Sequence, residues 1–422
     1  MKKIGYFICV ALLLSGCAND KRVAPQEGRI AVQSGVSEQI TKTDSAVQTD
    51  TPSAYATWMQ ASGNEANLMP HGTLSETSKK MWSRNVGKGI SSAYLMLPEP
   101  IIVDHKVYVL DGTFQLAGVD MVTGKKLFQK ELPVQKEISM ASIGLASDGK
   151  NLYAVNGQGT VFALDLNGEI LWQHETNAIL RSAPTVADGR IYVLSGNNEL
   201  FVLNAQDGSE IWHFKNISTE TNLFGMGQPA VSKGVVVVPF SSGEVIAFDA
   251  NTRMMLWSDS LLSRRTFNQI TDISHVIASP VIEDNTVYII GNAQKLGAFD
   301  LKTGAVQFIQ NIGGQNTPVV SGNALFMITT QNTLVALDKK SGALIWETSL
   351  VSEEKKGVAW KGPVLAQNQL IVVSNKGDVQ FFNAVNGEKI KAHQTDELSN
   401  KPILGDGKMI LYTNDADLIA YQ

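Results

Sequence analysis

The stretch ALDLNGEILWQ, Ala163 to Gln173, decides how this sequence folds. ALDL reads as a strand, Asn167-Gly168 as a turn, and a second run ends in Trp172. Gly supplies the positive φ that tight hairpin turns need, so the stretch predicts one β-hairpin. Nearly the same phrase returns as VLNAQDGSEIWH (202–213), AFDANTRMMLWS (247–258), AFDLKTGAVQFI (298–309) and ALDKKSGALIWE (336–347). The hairpin is one part of a repeat.

Two further parts precede it in each unit. The first is a short run beside a proline, at Pro184, Pro229, Pro280, Pro318, Pro363 and Pro402. Proline lacks an N–H and sits best at the start of a strand. PEPII (98–102) fits the pattern, whereas SIGLA (142–146) lacks the proline. The second is a dense β run such as RIYVLSG, VVVVPFSS, TVYIIGN or LIVVSNKG, rich in the Val, Ile and Tyr that favour a pleated surface. Each unit therefore makes four short strands, and successive unit prolines lie 38 to 51 positions apart. Four strands at that period indicate a β-propeller.

The units fall at 98–131, 139–176, 181–216, 225–260, 276–311, 316–350 and 359–395, with a partial one at 400–422. Trp172, Trp212, Trp257 and Trp346, with Phe128 and Phe308 as substitutes, end the units and are expected to fill the wedge between blades. The last unit supplies only three strands and no Trp. KMWSRNVG (80–87), carrying Trp82, is expected to complete it. The expectation is an all-β fold: an eight-bladed propeller of four-stranded antiparallel blades, closed by an N-terminal strand, over 76–422.

The N-terminal end reads differently. Lys2 and Lys3 precede an apolar run from Ile4 to Leu14, too short to span a bilayer but right for a signal-peptide core. LSGC (14–17) then resembles a bacterial lipobox, which implies removal of residues 1–16 and acylation (palmitate included) of Cys17. By resemblance to lipoprotein sorting rules, Ala18 directs the protein to the outer membrane. Cys9 leaves with the signal, so the mature chain has no disulfide and folds by burial alone.

Residues 17–75 are polar, with little apolar periodicity, and read as a flexible tether from the acylated Cys17. About 60 flexible residues have an r.m.s. span on the order of 40 Å. Loss of residues 20–50 is accordingly expected to leave the melting temperature unchanged. Trp58 and Met59 are the exception and mark a segment that docks on the body or on a partner.

The 422 residues are 44 % hydrophobic and 18 % charged, with a formal net charge of −5, or −7 without Lys2 and Lys3. An acidic chain without a basic cluster is unsuited to nucleic acid, whose binding neutralises phosphates. His71, His105, His174, His213, His275 and His393 show no metal-ligand spacing. NGQG (156–159) has no following helix to make a phosphate loop, and NDAD (414–417) reads as a hairpin turn rather than a Ca²⁺ cage. No catalytic residue, cofactor or metal site is assigned.

Repeats of the form ALDLNGEILW look like the PQQ-type propeller repeat. With the LSGC lipobox, eight units and the WSRNVG closing strand, residues 76–422 resemble the BamB family, lipoproteins of the outer-membrane β-barrel assembly (BAM) machinery. The long segment before Trp82 departs from that family's short tether. The resemblance implies a non-enzymatic scaffold, lipid-anchored at the outer membrane and facing the periplasm. Its implied partners are the periplasmic domains of the central β-barrel insertase and unfolded outer-membrane protein clients, the latter held by β-augmentation of exposed strand edges. Two other classes stay open. A quinoprotein dehydrogenase shares the repeat, but its usual vicinal Cys pair and inserted loops are not found here. A propeller that binds a periplasmic peptide or other ligand in its channel is the third.

Loop lengths supply a candidate interface. The connections 216–227 and 260–275 are long neighbours leaving one face, and the second accounts for the 51-residue proline spacing. Binding residues concentrate in such loops on rigid scaffolds. They carry Leu223, Phe224, Arg264, Arg265, Asp272 and Ser274. In the BamB family these connections hold leucines and an Arg, then an Asp-x-Asp. The resemblance implies that Leu223 matches a leucine and Asp272, with a gap of about three residues, the first Asp. Phe224 stands where the Arg would be, and Ser274 replaces the second Asp.

Overall fold

Thr160–Asp165 and Ile170–Glu175 pair antiparallel with Ala163 opposite Trp172, so the hairpin of the repeat is the outer half of a four-stranded sheet. The computed structural model describes residues 36–75, 79–91, 97–134, 142–216, 227–260, 278–291, 295–351 and 357–422. Apart from one helical turn, Val36–Gln39, its elements are strands grouped into eight four-stranded antiparallel sheets. The sheets span 101–131, 142–175, 185–215, 230–259, 281–310, 319–349, 360–394 and 403–421, here blades one to eight. First strands of successive blades touch one another, which places them at the centre of an eight-bladed propeller.

Blade eight is completed from the other end of the chain. Lys80–Asn85 pairs with Asp417–Tyr421, Trp82 opposite Ala420 and Asn85 opposite Asp417. Lys79 and Gln422 exchange backbone hydrogen bonds at 2.7 and 2.9 Å. The ring closes by pairing, so no blade offers a free edge at the join.

The aromatic residues of the fourth strands link each blade to the next. Across its own sheet each faces a small or β-branched residue: Gly118 for Phe128, Ala163 for Trp172, Val202 for Trp212, Ala247 for Trp257, Ala298 for Phe308 and Ala336 for Trp346. The ring then lies on the hairpin turn of the following blade. Trp82 meets Gly124, Phe128 meets Gly168, Trp172 meets Gly208, Trp257 meets Gly304, Phe308 meets Gly342 and Trp346 meets Gly387. Four indoles also donate Nε1–H to the residue after the third strand: Trp82 to Met121 O, Trp172 to Ala205 O, Trp257 to Leu301 O and Trp346 to Ala384 O, at 2.9 to 3.2 Å. Trp212 differs. The turn ahead of it carries Arg253 at φ 66° instead of glycine, and its Nε1 is buried with no acceptor among the described residues.

Blade seven has no such aromatic, and the closure explains why. The equivalent register position is Lys391, opposite Phe381, with its ammonium 4.6 Å from that ring's centroid. The outer strand of blade eight comes from the N-terminal side, so no third-to-fourth-strand hairpin stands ahead of Lys391 for a tryptophan to cover.

The reading of residues 17–75 as a tether is corrected over 36–75. These residues form a strap bonded to every blade. Thr43 N donates to Leu344 O and Asp50 accepts from Gly322 N in blade six; the Tyr55 carbonyl accepts from Asp406 N in blade eight. Trp58 and Ile102 exchange two hydrogen bonds at 2.8 Å in blade one, and Met59 O accepts from Ser147 N in blade two. Gln60 holds Val186 of blade three through its side chain, Glu65 O accepts from Val231 N of blade four, and Ala66 O from Ile282 N of blade five. The strap returns along blade seven, where Gly72 N donates to Leu365 O, and crosses itself as Ser53 N donates to His71 O. The physical cause is the inner edge of each first strand, whose backbone groups lack a strand partner in the channel and must be satisfied when buried. The strap buries scattered residues, Val36 and Ile40 beside the outer strand of blade six and Val47, Trp58, Met69 and Leu74 farther along, and so shows neither helical nor strand periodicity.

Candidate partner interface

The two long connections leave the same face of the ring. One runs from the fourth strand of blade three, Glu210–Lys215, to Ala230–Ser232; the other runs from Met255–Asp259 to Val281–Glu283. Leu223, Phe224, Arg264, Arg265, Asp272 and Ser274 lie outside the described residues, as does Cys17. What the structure does give is the frame that carries these loops.

That frame is tightly cross-bonded. At the outer root of the first connection, Asn216 donates Nδ2–H to Glu244 Oε2 at 2.8 Å and N–H to Asn198 O at 2.9 Å. Asn198 Oδ1 in turn accepts from Ser241 N and Oγ at 2.9 and 2.6 Å. The inner roots of the two connections are joined directly, because Gln228 N donates to Ser279 Oγ at 3.1 Å. Gly227 lies so close that a Cβ there would come 2.6 Å from Ala278 O. Asp259, at the outer root of the second connection, has its carboxyl pushed up by burial. Sequence reasoning missed Gln228, Ser279 and Gly227. They are small or neutral residues whose role exists only once neighbouring blades meet.

The outer strand beside the second connection is apolar. Met254, in the hairpin turn where its carbonyl accepts from Asp249 N, and Met255 and Leu256, at the start of the edge strand Met255–Asp259, are 66, 52 and 39 % exposed.

The channel carries a second polar assembly. The Lys401 ammonium donates to Ala61 O of the strap at 2.9 Å and pairs with Glu99. Lys361, on the innermost strand of blade seven, keeps solvent contact yet is hemmed in by protein, as in a narrow lumen. Burial holds its ammonium below the usual lysine range, with Glu99 opposing that shift. On the strap, Asn67 is fully buried and donates Nδ2–H to Pro280 O at 2.9 Å and Pro229 O at 3.2 Å.

His275 lies outside the described residues, and the described histidines form no cluster. His71 bridges Asp50 O and Asn368 N, His105 pairs with Asp406, His213 pairs with Glu210, and His393 lies tilted between the Phe381 and Tyr421 rings. Among the described residues no three His, Cys, Asp or Glu side chains are grouped to hold a metal. Asn414–Asp417 is the turn between the strands Lys408–Tyr412 and Asp417–Tyr421.

A family model described as outer membrane protein assembly factor BamB matches residues 135–348 and 313–422. The chain belongs to the BamB family. A Yersinia pestis outer membrane protein assembly factor BamB is 23 % identical over 351 residues, 81 % of this chain and 88 % of that protein. The crystal structure of BamB from Moraxella catarrhalis superposes with a TM-score of 0.68 at 17 % identity, covering 82 % of this chain and 99 % of that one. Quinohemoprotein alcohol dehydrogenase from Comamonas testosteroni superposes with a TM-score of 0.66 at 12 % identity, covering 87 % of this chain and 80 % of that one. That second likeness is one of fold alone, since a shared propeller does not carry a shared chemistry.

Proposed function

We propose that this protein is a non-enzymatic, lipid-anchored subunit of the outer-membrane β-barrel assembly machinery, facing the periplasm and binding the periplasmic domains of the central insertase. Family membership supports the assembly role. The observation that carries the partner assignment is the joined root of the two long connections, Gln228 to Ser279, which makes one rigid frame for both loops. A rigid frame lowers the ordering cost of binding. Cys17 is the proposed anchor, and the 19 residues from it to Val36 reach at most on the order of 65 Å when fully extended. The exposed Met254, Met255 and Leu256, at the hairpin end of the outer strand of blade four, support contact with extended, apolar clients.

The test is a double substitution. Asp272→Arg with Leu223→Asp is expected to keep the fold and weaken capture of the insertase at least tenfold, about 1.4 kcal/mol. Unchanged capture by a variant with the parental melting temperature places the interface elsewhere.

A further inference from the structure

We propose that the channel of this propeller is a peptide-binding site, and that residues 53–74 are its built-in ligand. The strap runs mainly at the opposite end of the ring from the partner loops, but its Asn67 reaches Gln228 at the inner root of the first of them, so the two sites share that residue. The strap crosses the end where first strands turn into second strands, as its bonds to Gly322 and Asp406 show. The long connections leave the other end.

The contacts have the form of peptide recognition rather than of loose packing. Main-chain bonding to exposed strand edges gives affinity, and pockets for particular side chains give selectivity. Both are present. The backbone of Trp58 adds to the inner edge of blade one and that of Gly72 to blade seven, while Met59, Glu65 and Ala66 offer carbonyls to blades two, four and five. Two side chains are then read individually. The Trp58 indole is fully buried. The Asn67 carboxamide, also fully buried, spans the start of two first strands, donating to Pro229 O and Pro280 O and accepting from the Gln228 amide. Those carbonyls precede the chain's inward run in blades four and five. Pro229 O also accepts from the Thr185 hydroxyl at 2.7 Å, so an apolar residue of the same size at 67 would cost Pro280 O and the Gln228 amide their bonds to the carboxamide. Lys401 adds a charged donor to the strap carbonyl at Ala61. The site therefore takes an extended peptide that presents an indole and, nine residues later, a carboxamide.

The experiment begins from the folded full-length chain. A protease site replaces residues 76–78, the protein is cut after purification, and size exclusion under native conditions follows the N-terminal fragment. Retention of the fragment on the body at micromolar concentration is expected, and its release with the body still folded overturns the proposal. In a second arm, a labelled synthetic peptide of residues 53–74 is exchanged into the cut protein. Substituting Asn67→Leu in that peptide should raise its dissociation rate at least tenfold. Equal dissociation of the two peptides would mean that the carboxamide is not recognised, and the site as described would be wrong.

Discussion

Gly387 lies against the indole of Trp346 so closely that a Cβ there would come 2.5 Å from Trp346 Cε3, while Trp346 Nε1 donates to Ala384 O at 3.1 Å. Gly387 also sits at φ 72°, where an L-residue costs about 1–2 kcal/mol. Gly387→Ala should therefore destabilise by at least about 2 kcal/mol, lowering the melting temperature by several degrees. Trp346→Ala and, at the closing strand, Trp82→Ala should each cost about 3 kcal/mol, the low end for a large ring because both stay partly exposed. Lys391→Ala should cost under about 1 kcal/mol, the size of an exposed cation–π contact. Thermal melts check all four, and parity of Trp82→Ala with the parent would count against ring closure by that strand.

Removal of residues 36–50 should lower the melting temperature, contrary to what a free tether implies. Val36, Ile40 and Val47 are buried, and Asp50 accepts from Gly322 N while its own N–H donates to Ser321 Oγ. Burying each aliphatic side chain is worth about 2 kcal/mol. Calorimetry of the shortened chain decides it, and an unchanged transition would return this segment to the tether.

Acid should loosen the hairpin turns. Asp300 accepts from the Thr303 hydroxyl at 2.8 Å and from Thr303 N at 2.9 Å, and these bonds hold its carboxyl below the usual value of 3.8. Asp120 is held low in the same way by Thr123. A carboxyl whose folded pKa is depressed contributes stability at pH values above 3.8 and loses it as the pH falls below. Asp300→Asn should accordingly flatten the drop in melting temperature between pH 4 and pH 2 relative to the parent; parallel curves would show that the turn bonds do not matter.

The anchor has its own assay. Cys17→Ala should leave the protein soluble or as an uncleaved precursor. Outer-membrane fractionation after a high-salt wash reads this, and retention of the variant would exclude Cys17 as the attachment point.

Much of the ring was legible in the sequence because its cause is local. The turn at Asn167-Gly168, the alternation before it and the aromatic after it are set within a dozen residues, and repetition multiplies the signal. The incomplete last unit even disclosed the role of Trp82. Sequence also marked the connections 216–227 and 260–275, since loop length needs no third dimension. What it could not show was decided between distant parts of the chain. Lys391 in place of a tryptophan makes sense only because blade eight takes its outer strand from the other end. Asn67, in a polar stretch without periodicity, becomes a buried anchor only where the starts of blades four and five converge. Gln228 and Ser279 look ordinary until neighbouring blades bring them 3.1 Å apart. Local propensity writes each blade into its own residues. The inner edges of eight strands meet only in the closed ring, and satisfying those edges is what turned a polar N-terminal segment into part of the fold.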